Sequence, residues 1–547
     1  MKILSKVVLG LAALLLAHRT PGAMKLPSGA GSVTASSTQQ VETGTTDTGP
    51  AGTILAEGHP TAAGSTGTEC AGVASVASTT SGSGDADSAA VDSKTSRSEG
   101  AGFASADSKT SGSTETRSPG TGASGAAIPA EPFSFADFTW LNGNARQSTA
   151  LLDTKYFTGE FRADVNYVYD YNHPKDHTLI GSCETGRAGE VQVQQLGIGG
   201  DFHYENVRGR LMTQLGMYSQ MTPRNDASPS RGQWNLGGAY RYLSEAYGGY
   251  HWNKLSGINL DVGIFMSYVG LFSYYNFDNW AYQPSYVSAN TPWFFNGARI
   301  QVYPSDKLKV EVWLINGWQS YGMFNESPGV GAQILWRPNG SVSFVSNNYW
   351  GRDTLGNDAR VRIHTDNSLQ IKYYDAPGRF FDKGAFSLTV DAGCEDGGGV
   401  SCSGSSSSHP PQYFLGFMIY NRLWLHGDKF ALTVGGGEIT NPGRYLVLLP
   451  PINGATASSG TPYFTLNPGD EFRAWDASAT FDYMPNPYIT FRWEFDHRAA
   501  DVPYFAGRGG ITPPGGNTGP DGSLVPGFEP DLRKSESRIN MALLVKF

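Results

Sequence analysis

The sequence predicts an all-β protein: a transmembrane antiparallel up-and-down β-barrel of about 16 strands (roughly 14–18), preceded by a disordered N-terminal tether. Three observations predict it. From Thr158 onward, apolar and polar side chains alternate in segment after segment, which is the period of a strand with two unlike faces. The connections between those segments alternate short and long, as when short turns gather on one rim of a barrel and long loops on the other. Aromatic residues crowd toward segment ends, as in Tyr167–Tyr171 and Phe272–Phe277, where a membrane-interface girdle is expected.

The N-terminus comes first. Lys2 and Lys6 precede the apolar run Val7–Ala17, long enough for a secretory h-region and too short to span a bilayer as a helix. Residues 1–23 are therefore expected to be a signal peptide, with Gly22 and Ala23 near the cleavage point. Residues 24–130 are rich in Ser, Thr, Gly and Ala, and repeat DSKTS at Asp92–Ser96 and Asp107–Ser111. All 12 Trp and all 27 Tyr lie at or after Trp140. So little large apolar surface before that point cannot offset the entropy of ordering the backbone, and this stretch is expected to be disordered. The run Gly120–Gly125 spells GxGxxG, but it follows no strand and opens no helix, so composition explains it.

Residues 131–547 carry the barrel. Strands are expected near 158–172, 191–206, 208–220, 232–249, 257–275, 294–304, 306–320 and 328–338, and then near 341–351, 359–375, 382–394, 412–425, 428–438, 471–484, 487–498 and 535–547. In Ile258–Tyr268, Ile258, Leu260, Val262, Ile264, Met266 and Tyr268 share one face, and Asn259, Asp261, Gly263, Phe265 and Ser267 share the other. In Ile489–Arg498, Ile489, Phe491, Trp493 and Phe495 oppose Thr490, Arg492, Glu494, Asp496 and Arg498. An apolar face about ten residues long crosses ~25 Å of hydrocarbon at a tilt. Lipid cannot satisfy a free strand edge, so such a sheet must close. The last segment ends on Phe547 with apolar residues at alternate positions before it, resembling the terminal signal that the bacterial barrel-assembly machinery recognises.

Charge and cysteines narrow the function class. A net charge of −9 argues against a nucleic-acid partner, which would need a basic face. Charged residues are only 16% of the chain, below the ~25% usual for soluble domains. Cys394 and Cys402 lie in one Gly/Ser-rich stretch, where a local disulfide is expected. His409 is the only His close to them, so neither a metal site nor a cofactor is expected.

The candidate site is the lumen. Alternation turns inward Glu160, Arg162 and Asp164; Asp201, His203 and Glu205; Arg299, Gln301, Lys309 and Glu311; Arg362, His364 and Lys372; Asp476 and Asp482; and Arg492, Glu494, Asp496 and Arg498. Cations and anions on opposing walls would set a transverse field; the plainer reading is that they pair across neighbouring strands and keep the lumen polar. About sixteen strands leave an aqueous channel unless something folds in. Loop Asn276–Trp293, aromatic and rich in Asn, Gln and Pro, is the constriction candidate, with Trp280, Tyr282 and Gln283 facing solute. For catalysis, His364 with Asp366 and Asp201 with His203 are base–carboxylate candidates, and Ser346-Asn347 faintly echoes a barrel phospholipase. Neither pair has a recognisable partner motif, and no enzyme is expected.

Several motifs carry a resemblance: Phe138-Thr-Trp-Leu-Asn-Gly143, Asp278-Asn-Trp280, Tyr286-Val-Ser288, Thr291-Pro-Trp293, Asn316-Gly-Trp-Gln-Ser-Tyr321, Gly329-Val-Gly331 and Trp336-Arg-Pro338. Together they resemble the OmpL-like, or porin-2, family of β-barrel porins over about residues 135–547. The resemblance implies a pore in the outer membrane of a Gram-negative-type bacterium, in contact with outer-membrane lipid and passing small hydrophilic solutes or ions passively. It does not carry a substrate over. A homo-oligomer stays open, because no subunit interface is readable. The alternatives are a non-conducting surface barrel acting as an adhesin and, behind it, a barrel hydrolase.

Overall fold

A computed structural model describes residues 131–179, 181–182, 184–404, 411–442, 472–509 and 531–547. The expected signal peptide and tether lie outside the described residues, as do Cys70, Cys183 and His409. Sixteen long strands run in chain order: β1 (Phe157–Asp170), β2 (Val191–Tyr204), β3 (Val207–Thr213), β4 (Leu243–Trp252), β5 (Ile258–Met266), β6 (Phe294–Ser305), β7 (Leu308–Ile315), β8 (Gly329–Asn339), β9 (Val342–Gly351), β10 (Val361–Asp375), β11 (Phe381–Asp396), β12 (Tyr413–Leu425), β13 (Phe430–Asn441), β14 (Phe472–Asn486), β15 (Ile489–Ala500) and β16 (Ser535–Lys546).

Each strand pairs antiparallel with its neighbours in sequence, and β16 pairs with β1 from Arg538↔Asp170 to Lys546↔Arg162. The sheet is thus closed. At the seam Phe547 and Phe161 exchange backbone hydrogen bonds of 2.5 and 3.0 Å, and their rings stack at 5.1 Å. Closure leaves no row of unpaired N–H and C=O groups facing lipid, which is the condition for a sheet to cross a bilayer.

The alternation becomes inside and outside. In β5, Leu260 and Val262 are exposed on the outer surface while Asn259 and Asp261 are buried within. Phe491, Trp493 and Phe495 turn outward in β15, and Arg492, Glu494, Asp496 and Arg498 turn inward. Exposed aromatic residues ring the short-turn rim, among them Tyr204, Tyr250, Trp252, Trp336, Phe380 and Phe547. Tyr169, Tyr171 and Trp475 stand toward the other end. These belts sit where an amphipathic ring lies between headgroup and hydrocarbon.

Four strand expectations need correction: three lie beside the long loops 214–242 and 267–293, and the fourth, at 306–320, ends at Ile315. The strand expected at 208–220 ends at Thr213, the one expected at 232–249 begins at Leu243, and the one expected at 257–275 ends at Met266. Residues 214–242 instead make short helical turns, Tyr218–Met221 and Leu236–Tyr240 among them, with Pro223 and Pro229 at the start of 3-10 turns. Both prolines lie between the expected strands; the ladder stops earlier, where Gly216 takes a φ of 106° and Tyr218 turns into buried contacts. Tyr218 of this excursion shares a buried cluster with Ile264, Met266 and Phe294. Ile264 and Met266, which alternation assigns to lipid, are therefore covered by protein. Phe272–Phe277 forms no girdle either: Phe272, Tyr274, Tyr275 and Phe277 are buried within the fold.

Cys394 and Cys402 form a disulfide with Cα atoms 5.3 Å apart, pinning the loop that follows β11.

Candidate functional site: the barrel lumen

The inward faces meet as a charge network rather than as separate rows. Arg162 on β1 pairs with Glu160 and reaches Asp278 of the long loop at 3.0 Å. Arg210 on β3 contacts Glu160 at 3.0 Å, Asp201 at 2.8 Å and Glu245 at 3.0 Å. Asp261 sits between Arg208 (3.3 Å) and Arg299 (2.9 Å). Lys309 pairs with Glu311, and Arg362 contacts Glu395 at 3.0 Å. Asp482 lies between Arg422 (2.8 Å) and Arg492 (2.7 Å). Arg538 pairs with Glu536 at 2.5 Å, and Asn540 donates to Asp496. Partners sit on adjacent strands (Arg210–Asp201, Arg299–Asp261, Arg492–Asp482) or within one strand (Lys309–Glu311, Arg538–Glu536). Others sit two strands apart (Arg210–Glu160, Arg208–Asp261, Arg422–Asp482), because long side chains on one face reach past the strand between. Buried charges persist only when so compensated.

Loop 267–293, between β5 and β6, crosses this lumen to the opposite wall. Its backbone N–H groups at Tyr282 and Gln283 both donate to Glu494 of β15, each at 2.6 Å. Arg492 donates to the carbonyls of Asn276 (3.2 Å) and Asn279 (2.6 Å), and Arg422 of β12 to that of Trp280 (3.1 Å). Asp476 of β14 accepts from Ser285 Oγ (2.7 Å) and the Tyr286 N–H (2.9 Å). The loop also reaches β1, where the Tyr282 hydroxyl donates to Asp164 at 2.8 Å. Burial holds that hydroxyl protonated well above the usual phenol range, and the nearby carboxylate adds to the shift. A close approach makes the docking fit: a Cβ on Gly416 would stand 2.8 Å from Val287 Cγ2.

A second strand of chain enters the lumen from the N-terminal side. The Phe133 N–H bonds the Asp306 carbonyl (2.7 Å) at the β6–β7 turn, and Trp140 Nε1 bonds Gly340 (3.1 Å) at the β8–β9 turn. Arg146 donates to Asn486 (3.0 Å) and Ile489 (2.6 Å) at the β14–β15 turn, and Gln147 donates to Lys546 at the end of β16. Residues 133–147 thus span the short-turn mouth of the barrel. They also carry the loop, because Trp280 donates its N–H to Asn142 Oδ1 (2.7 Å) and its indole N–H to the Trp140 carbonyl (3.1 Å).

Of the residues expected to line the pore, Arg162, Asp164, Arg299, Lys309, Glu311, Arg362, Arg492, Glu494, Asp496 and Arg498 are buried on the inner face. Lys372 is half-buried and pairs with Asp375 at 2.5 Å. Arg498 lies over the Tyr286 ring, 4.0 Å from its centroid. Glu205 departs from expectation: it is exposed in the turn after β2 with φ of 52°, because alternation stops where the strand does. Trp280, Tyr282 and Gln283 lie within the lumen but turn onto wall and floor instead of toward solute. The pairings considered for catalysis are redistributed. His364 Nε2 lies 2.6 Å from Asp391, with Trp318 against its ring, and Asp201 belongs to Arg210.

The sequence reading missed Arg208, Arg210, Arg337 and Arg422, although the same two-residue period places them inward. It also missed residues 133–147 as an occupant of the lumen; short and irregular, that segment offers no periodicity to read.

No curated protein matches. Among solved structures, Vibrio cholerae OmpT shares 10% identity over 72% of this chain and 99% of its own, with a TM-score of 0.40. An anion-selective porin from Comamonas acidovorans shares 9% over 72% and 99%, with a TM-score of 0.40. Pseudomonas putida OprB shares 10% over 72% and 94%, with a TM-score of 0.43. The family model described as "Putative beta-barrel porin-2, OmpL-like" matches residues 161–519. From within β1 to beyond β15, then, the chain belongs to the OmpL-like porin-2 family and is an outer-membrane β-barrel porin.

Proposed function

We propose that the barrel passes small hydrophilic solutes or ions by passive diffusion, through a lumen narrowed by loop 267–293 and floored at its short-turn mouth by residues 133–147. The observation that carries this is the seating of Tyr282 and Gln283 on Glu494, which holds the loop across the channel. The polar, charge-paired inner walls support passage of hydrated solutes over apolar ones. No catalytic role is proposed, since His364 and Asp201 are committed to structural partners. Residues 1–23 would direct export, residues 24–130 would act as a tether, and the β16 pattern ending on Phe547 would be the signal read during barrel assembly. Self-association through the outer face remains part of this reading.

Single-channel recording of the full chain in a planar bilayer tests it. Stable open steps are expected in KCl. Replacing 276–293 with a short Gly/Ser turn should raise unit conductance about twofold or more, by widening the narrowest section. A folded barrel that never conducts overturns the diffusion reading and favours a surface-binding role. Unchanged conductance in the shortened variant overturns the constriction.

A further inference from the structure

Between the inner wall of β6–β10, the root of the inward loop and the N-terminal segment lies a cavity of about 70 Å³. Its charged lining is Arg299, Lys309, Arg337 and Glu311. Two of these cations are accounted for, because Arg299 donates to Asp261 at 2.9 Å and Lys309 pairs with Glu311. Glu311 is in turn occupied by Gln301 Nε2 (2.8 Å) and Trp313 Nε1 (2.9 Å). Arg337 is different. It is 3% exposed, makes no ion pair among the described residues, and its Nε has no hydrogen-bond partner.

Phe133 and Phe138 hold this guanidinium, their ring centroids 4.9 and 4.6 Å from its carbon. Stacking on aromatic faces leaves the donors along a guanidinium edge free for a planar acceptor. Asn142, on the same lining, spends its Oδ1 on the Trp280 N–H and leaves Nδ2 without a partner. Asn144 leaves its Oδ1 unpartnered there, an acceptor that a bound water would satisfy. A buried guanidinium lacking a counter-ion is costly, and a ligand that supplies the opposite charge removes the cost.

We infer that this cavity is a binding site for a short carboxylate, with Arg337 as its counter-ion and Asn142 as a second donor. Size sets the class. A cavity of roughly 150 Å³ holds a benzene, so about half that volume suits an anion of roughly three or four heavy atoms, formate or acetate in size. The inference rests on the porin reading, since it names a solute class for the same lumen.

The test titrates sodium acetate at constant ionic strength into the full chain in detergent micelles, following tryptophan fluorescence, because Trp313 lines the cavity. Wild type should saturate at millimolar acetate. Arg337→Gln should weaken binding at least tenfold, and Arg337→Lys should recover part of it. Each variant should keep the wild-type shift between folded and unfolded bands on electrophoresis. A flat wild-type titration, or equal binding by Arg337→Gln, overturns the site. KCl recordings on the same preparation test the porin separately: open steps with a flat titration remove only the acetate site, while absent steps with acetate binding remove only the diffusion reading.

Discussion

Glu494 shows how one inward carboxylate can hold a loop in place. It accepts two successive backbone N–H groups, at Tyr282 and Gln283, and a third bond from Thr480 Oγ1 at 2.6 Å. Hydrogen bonds to an ionised acceptor are roughly twice as strong as neutral ones. Removing the carboxylate also leaves two buried N–H groups without partners, at about 1–3 kcal/mol each. Glu494→Ala should therefore loosen the loop's hold on β15, seen as added open-channel noise and flicker between conductance levels in single-channel records. A variant as quiet as wild type would mean that Arg492, Arg422 and Asp476 hold the loop without it. Arg492 was legible as inward from alternation alone, and so was Glu494. Their partners were not, since the bonds from Glu494 reach back across 211 and 212 residues of chain.

Among the elements, the strands were read well and the irregular segments were not. Most strand ends fall within a few residues of expectation, because two-residue alternation is written locally and each barrel strand has one lipid face and one lumen face. The failures at 214–242 and 267–275 occur where apolar and aromatic residues continue past the strand to bury themselves in irregular structure. Burial there depends on tertiary contacts, so the composition looks like strand while the backbone is not. Residues 133–147 are the other element that pattern could not show. Their bonds to three short turns and to the end of β16 make them a floor. A chain lacking 131–150 should still close its barrel, whose ladder runs β1 to β16 without them, and should show unit conductance about twofold or more above wild type. Equal conductance would place the narrowest section at the inward loop alone.

At the scale of the whole molecule, two solvents divide the side chains: lipid outside, water and buried ion pairs within. An outward residue near mid-strand therefore tolerates charge poorly. Val262, 58% exposed on β5, is such a position. Val262→Arg should destabilise the barrel by about 2–4 kcal/mol near the bilayer midplane, measured as urea unfolding from lipid vesicles; a change within error would place Val262 outside the hydrocarbon. By itself the sequence determined the closed antiparallel barrel, its strand number to within two, the rim that bears short turns and the polarity of most faces, because alternation and turn chemistry act over a few neighbouring residues. The sequence nominated loop 276–293 for the lumen; only the tertiary structure decided where that loop seats, what floors the mouth and that Arg337 stacks on two rings with no ion pair among the described residues. Those outcomes depend on partners far apart in the chain, such as Arg337 against Phe133 and Phe138 or Tyr282 against Glu494, and barrel closure alone brings them together.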